Sequence, residues 1–557
     1  MDSQQVLGAS PHRWSSIRAG EWPRRVRRGG IWISLIGLMS LLVACGSTPS
    51  SSGSATSGAN GTLTVPGTTG AYMDLDKTIY NHPTGSLLAE LPLVMLNPQS
   101  KITAGAATSW SVSANHLVWT FHLNPKLVWS TGQPLTAQDY VIGARYTATP
   151  STGYDFGWFW STVADIKNYV PITEGKMPPS ALGVKALNAH TLQVTTTVPV
   201  PFLPLAMGYL TPEPPWLLDK YGAAWSTKPQ TMSFTGPYII SQWLPNQSIT
   251  FVKNKKYYGP YHGQGPAKIV VQLDGGANYT GFLDGQVDVT QLNTGQYRAA
   301  ASNPPPGSHL VNIPFWWINM LGFNQTHAPF NSTLVRRAIA LAINQNQLVN
   351  DVLKGSAMPN TQVIPPHFPG FDPNIKEPYN VTEARKLLAE AGYPGGKGFP
   401  VETLLIRNQS APGNLSAAEF IQSELKANLG ISLKVKQLDE TTWIADVNAG
   451  KAQIFIRPYN YDYIDPSDWY SLFLPGGIMT WSNSQFNKLV AKANSSFNPA
   501  QRTALYDQAA KILNQQAGAV FLYTNIGHYL VSNKLQDFPA SPIITYTDFW
   551  MVWTHIK

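Results

Sequence analysis

One cysteine, Cys45, is all that 557 residues contain, which excludes an internal disulfide framework and any site built on paired cysteines. Charge is sparse too, with Asp, Glu, Lys and Arg making up 13% of the chain. The apolar run 31–44 (IWISLIGLMSLLVA) is too short to cross a bilayer comfortably. Catalytic signatures are missing: there is no GxGxxG, no phosphate loop with its lysine, no HExxH, and the eleven histidines show no ligand spacing. Serines close to glycine, such as Ser233 and Ser308, lack a nucleophile elbow. Asp462 and Asp465 invite comparison with an acid/base pair, but nothing in the sequence fixes a carboxylate separation. The chain therefore reads as a binding protein, not an enzyme, with no cofactor and no metal.

What is present begins with a strongly asymmetric charge. The formal net charge is +8, yet residues 1–44 hold Arg13, Arg18, Arg24, Arg25, Arg27 and Arg28 against Asp2 and Glu21, a local +4. The remaining +4 is spread over more than five hundred residues, so the basic balance does not point to nucleic acid. Arginines, a short apolar run and then small residues form the layout of an export signal. Leu42-Val43-Ala44-Cys45 resembles the bacterial lipobox, in which the cysteine is acylated and becomes the new N-terminus; an uncleaved anchor with an incidental cysteine is the alternative. Residues 47–62 (STPSSSGSATSGANGT) have nothing to bury and read as a flexible tether. The expectation is an exported protein, lipid-anchored to the outer face of the cell membrane or periplasmic.

The body is long enough for two or three domains. Its 18 Trp, 24 Tyr and 21 Phe exceed what a core needs and leave rings for a cleft. Strands are expected at 63–65, 117–123, 249–252, 431–435 and 519–523, the last a buried run. Thr136, with Asp139 three residues later, predicts a helix start. Val335, Ala338, Ile339 and Ala342 fall on one helical face, with Arg336 and Arg337 beside it. Asn380 with Glu383 opens a helix over 381–391 that Gly392 stops. A helix over 417–429 follows, and Asn498-Pro499 opens another running to Gln516. Helix-to-strand succession with short connections is the pattern of a mixed α/β domain.

Several blocks then carry a resemblance. Ala107 to Trp110, Thr120-Phe121, Val128-Trp129, Gly132 and Thr136-Ala137 stand in order, followed by Thr235-Gly236-Pro237-Tyr238 with Trp243 and Asn254. Gly322-Phe323-Asn324, Pro329-Phe330, Val335-Arg336-Arg337-Ala338 and Ala342-Ile343-Asn344 complete the set. Together they resemble the extracellular solute-binding proteins of peptide and nickel ABC importers, the oligopeptide- and dipeptide-binding family. Departures at Asn124-Pro125-Lys126, Thr131 and Asn344 lie at turns or on the surface. The resemblance implies an α/β, periplasmic-binding-protein-like fold of class II (cluster C), two-lobed with an additional domain. After the signal (1–44) and the lipidated tether (45–62), it implies a discontinuous first domain (63–91, 226–305 and 520–557), a second domain (92–225) and a third (306–519). It also implies a monomer working with ABC permease subunits, with no nucleic-acid partner.

The organising stretch is residues 452–465, AQIFIRPYNYDYID. An apolar run turns abruptly into Arg457, three tyrosines and two aspartates. In the family, an Asp just before a D-P or E-P pair binds the ligand's α-amino group; here the resemblance places that role on Asp462, ahead of Asp465-Pro466. Tyr459, Tyr461 and Tyr463 would be the pocket walls, with Trp481 and Trp158 as further cleft rings. The alternative is that Asp462 and Asp465 only cap the turn before Pro466. For Phe315-Trp316-Trp317, core packing is the favoured reading. Arg457 is either a contact for the ligand's carboxylate or the partner of a neighbouring acid. Cargo other than peptide (nickel chelates, oligosaccharides, opines) and a non-transporting sensing or adhesion receptor stay open.

Overall fold

Alternation builds the first sheet. In the strand Thr62–Pro66, Leu63 and Val65 point one way and are fully buried. They pair in parallel with Ile269 and Val271 of Lys268–Gln272, which lies antiparallel to Ser248–Lys253, and Tyr238–Leu244 closes the edge. The computed structural model describes residues 61–273, 279–408, 414–545 and 547–557. The export segment, Cys45 and all but the end of the tether lie outside them. Among the described residues no helix is long and apolar enough to cross a membrane.

A second, antiparallel sheet runs in the order Ala107–Val112, Val118–Leu123, Thr191–Thr195, Val184–Asn188. The helix Ala137–Ala148 packs against its last two strands. It starts where the capping pattern predicts, the Asp139 carboxylate accepting the Thr136 backbone N–H at 2.8 Å.

The third sheet has seven strands and mixed direction. Its order is Val289–Leu292, Val520–Ser532, Ser308–Phe323, Ile454–Asn460, Glu402–Arg407, Leu433–Leu438, with Ala357–Pro359 also pairing Val520–Ser532. One face carries Phe323, Leu404, Ile406, Ile454 and Ile456 into a core covered by the helices Thr333–Ala342, Val381–Glu390 and Asn414–Leu429. The other turns Ile318, Met320, Leu405 and Phe455 into the larger core. Val335, Ala338, Ile339 and Ala342 are buried as their spacing predicts. Val289–Leu292 and Val520–Ser532 thus hydrogen-bond into the same sheet as Ser308–Phe323 and Ile454–Asn460. The expected strand over 519–523 continues to Ser532 because its later residues keep a partner in Ser308–Phe323 along most of their length.

One irregularity interrupts this sheet. Pro314 pairs with Ile526 but Ile318 with Thr524, so three residues on one strand oppose one on the other. This bulge breaks the two-residue alternation at Phe315, Trp316 and Trp317.

Candidate ligand-binding site

Asp462 and Asp465 stand three residues apart and do different work. Asp465 caps the helix Pro466–Ser471, its Oδ1 accepting the Ser467 N–H at 2.9 Å. It also takes a two-pronged contact from Arg502, Nη1 to Oδ2 at 2.8 Å and Nη2 to Oδ1 at 2.6 Å. For Asp465 the turn-capping alternative is therefore the right one. Asp462 caps nothing. Its backbone N–H donates to Asp468 Oδ2 at 2.8 Å and its carbonyl accepts the Tyr209 hydroxyl at 2.7 Å. Its carboxylate has a single described contact, Oδ2 with the Tyr459 hydroxyl at 2.9 Å, and it forms no ion pair among the described residues.

Tyr459 also lies 2.9 Å from Asp468 Oδ1. A phenol has one proton, so it donates to one carboxyl and must accept from the other. Asp468 is 1% exposed, and burial beside Asp462 pushes its pKa well above the usual carboxylate range. The proton then belongs on Asp468: it donates to Tyr459, Tyr459 donates to Asp462, and Asp462 keeps the charge. Burial raises the pKa of Asp462 as well, and the Tyr459 hydrogen bond opposes that rise. Such a carboxylate is poised for a cation from outside.

It opens onto a cavity of about 560 Å³. Leu75, Ile79, Tyr80 and Leu87 line one side and Phe156 and Tyr209 another. The bulge supplies Phe315, Trp316 and Trp317, with Tyr461, Tyr529, Thr545 and Asp548 completing the wall. Tyr80 is 62% exposed and stands at the rim, its hydroxyl accepting the Trp158 Nε1–H at 3.0 Å. Its pKa is pushed up to about 12, first by burial of the hydroxyl, with Asp462 among the charges adding to the rise. A larger groove of about 680 Å³ runs beside Tyr238–Leu244, but Lys228 is its one ionisable side chain among the described residues. Convergent polar groups on aromatic walls favour the smaller cavity as the site.

A model of the bacterial extracellular solute-binding proteins, family 5 (middle), matches residues 101–481. The chain belongs to that family. It is 30% identical over 443 residues to the probable deoxycholate-binding periplasmic protein YgiS of Escherichia coli (strain K12), covering 77% of this chain and 81% of that one. It is 28% identical over 468 residues to the periplasmic murein peptide-binding protein MppA of the same organism, with 81% and 84% covered. The structure of MppA in its unliganded open form superposes with a TM-score of 0.77 at 26% identity, covering 89% of this chain and 97% of that one. The fold is accordingly the two-lobed, class II binding-protein fold.

Within this family-5 chain the residues singled out from sequence separate. Asp462 and Tyr461 line the cavity. Tyr459 stands behind Asp462 as the hydroxyl bridge. Tyr463 is buried edge-on to Phe159 at 5.5 Å and stacked on Phe202 at 5.8 Å, and its hydroxyl meets Ser467. Trp158 supports Tyr80 from outside the wall. Trp481 is not among the lining residues; it is 4% exposed and packs edge-on to Phe486 at 5.0 Å, with Gly518 beneath its ring. Arg457 does not line the cavity either and has no acidic partner among the described residues. Its guanidinium lies 4.9 Å from the Trp443 ring centroid, with Arg407 4.7 Å from the same ring. Its Nε and Nη2 make no hydrogen bond among the described residues, and burial with the Arg407 charge lowers its pKa to about 10. The core reading holds for Trp316, 4% exposed and packed edge-on to Phe368 at 5.1 Å and Tyr461 at 5.2 Å, while all three rings of Phe315-Trp316-Trp317 also border the cavity. Tyr80, His82, Tyr209, Gln291, Tyr529 and Asp548 had no local signal; they come from segments far apart in the chain.

Proposed function

We propose that this family-5 protein is the ligand-capturing component of an ABC importer, exported and lipid-anchored through Cys45, and that it takes small peptides by their α-amino end. The observation that carries this reading is Asp462, a carboxylate with no cationic partner among the described residues, lining an aromatic cavity. Leaving that charge desolvated and alone is unfavourable, and a ligand ammonium relieves it. Ring walls with few fixed donors accept many side chains, since water adjusts the fit. That MppA is a murein peptide-binding protein supports the same cargo class.

A second reading follows from the name of YgiS, a bile-acid-like amphiphile lodged against the same rings. The electrostatics disfavour it: no lysine or arginine is among the described residues lining the cavity, so a carboxylate there meets Asp462 unrelieved.

Calorimetric titration of the purified chain, freed of bound ligand by unfolding and refolding, separates the two. Di- to pentapeptides are expected to bind, and binding is expected to weaken roughly a hundredfold for their N-acetylated forms and in Asp462→Ala. Heat from deoxycholate, a sugar or a nickel chelate with none from any peptide would refute the peptide reading.

A further inference from the structure

The wall opposite the family-like segment holds a second acid. Asp548 Oδ2 accepts the Gly85 N–H at 2.9 Å and the Leu87 N–H at 3.3 Å, contacts that fasten the C-terminal segment to the stretch carrying His82 and Leu87. Its Oδ1 accepts no hydrogen bond among the described residues, which is also true of Asp462 Oδ1. Each acid therefore has one oxygen committed to the protein and one left over, and both residues bound the same cavity. The lining has no lysine or arginine among the described residues, and its one basic side chain is His82.

An ordinary peptide does not balance this arrangement. It brings one ammonium to two carboxylates, and its own carboxylate would find no cation inside. We propose that the cavity selects peptides with a second positive charge, a lysine-like or arginine-like side chain held by Asp548 while Asp462 holds the α-amino group. The proposal rests on the reading of this protein as a peptide receptor. The rings Trp316, Trp317 and Tyr529, which line the same cavity, suit such a side chain, because aromatic faces attract a cation and its methylene stem lies well on apolar surface. Asp548 is half-buried, and desolvation raises its pKa while His82 and the two backbone N–H groups oppose the rise. A ligand cation would strengthen the ionised form further.

The test is calorimetric titration of the refolded full chain with Ala-Ala-Ala and with Lys-Ala-Ala, Ala-Lys-Ala and Ala-Ala-Lys. At least one lysine peptide is expected to bind roughly tenfold or more tightly than Ala-Ala-Ala, as a desolvated charge pair warrants. Asp548→Asn keeps an acceptor for Gly85 and Leu87; it should erase that advantage, bringing the lysine peptides to the affinity that Ala-Ala-Ala shows in the same variant. Equal affinities across the four peptides on the unaltered chain overturn the proposal even if the variant fails to fold, and leave the peptide reading standing. An advantage that persists in Asp548→Asn also overturns it. No heat from any of the four defeats both readings. Tighter binding of 1,5-diaminopentane than of every peptide would show that two charges are read without a peptide between them, and would overturn both as well.

Discussion

The carboxyl groups of Asp74, Asp76, Glu90 and Glu213 and the pair Asp462 and Asp468 face the same difficulty and resolve it differently. None of the six forms an ion pair among the described residues. In the first group all four are at most 5% exposed, and burial raises every pKa, most strongly those of Asp76, Glu90 and Glu213. Asp74 Oδ2 and Glu213 Oε2 are buried with no hydrogen-bond partner among the described residues, and the charge of Asp74 adds to the rise at Glu213. That cluster settles its charge by keeping protons. Only Leu75, between Asp74 and Asp76, reaches the cavity wall from it. In the second group the buried member, Asp468, holds the proton and the cavity-facing member keeps the charge. Burial of acids alone does not make a binding site; a burial that leaves one charged oxygen open to a cavity does.

The contrast can be probed in steps of decreasing size. Asp465, the paired acid between them in kind, sets the upper bound: Asp465→Ala strands the Arg502 guanidinium and is expected to cost about 3–5 kcal/mol of folding stability, read from urea unfolding. Asp462→Ala removes an unpaired charge, so stability should stay within about 0.5 kcal/mol. Peptide affinity should fall roughly a hundredfold, about 2.7 kcal/mol. A large loss of stability in that variant would mean that Asp462 belongs with Asp465 as a structural residue.

For the four-acid cluster the sign follows from linkage. A carboxyl whose pKa is higher in the folded state is neutral there while the unfolded chain has already ionised. Its stabilising contribution is therefore complete below the ordinary carboxylate range and is lost as the pH rises through the elevated folded value. Asp76→Asn should raise stability at pH 8 by about 1–2 kcal/mol, with little gain at pH 4, in paired denaturant titrations. A gain equal at both values would show that Asp76 is not exchanging a proton with solvent on folding.

The smallest effect is the most direct test of the proton assignment. A carboxamide at position 468 can accept the Asp462 N–H and donate to Tyr459, as a protonated Asp468 does. Asp468→Asn should hold peptide affinity within about threefold, whereas Asp468→Ala, which leaves Tyr459 without that donor, should weaken it roughly tenfold. If the asparagine variant loses as much as the alanine one, Asp468 is the charged partner.

Much of the fold was legible because its signals are local. Thr136 with Asp139, Asn380 with Glu383 and Asn498 with Pro499 announce helix starts within four residues, and the helices begin there. Leu63 and Val65 announce a strand face by alternation, and Ile454-Phe455-Ile456 a buried strand by their unbroken apolar run. Boundaries set by partners were harder: the helix expected from Ala417 is described from Asn414, and the strand expected at 431–435 is displaced to Leu433–Leu438, where it pairs with Glu402–Arg407.

By itself the sequence determined helix caps and strand faces, since each rests on residues a few positions apart whose backbone groups must be satisfied locally, and the likeness of the segment around Asp462 to the family's made that residue a candidate. Tertiary structure alone decided that Asp465 is spoken for by Arg502 and Asp462 by no cation, and that Trp481 is core. It also decided that Phe315-Trp316-Trp317, at a bulge, border the cavity, and that Asp548 shares this cavity with an acid 86 positions earlier. These are properties of which groups are left without partners after folding, and a missing partner is visible only when every segment able to supply it is in place.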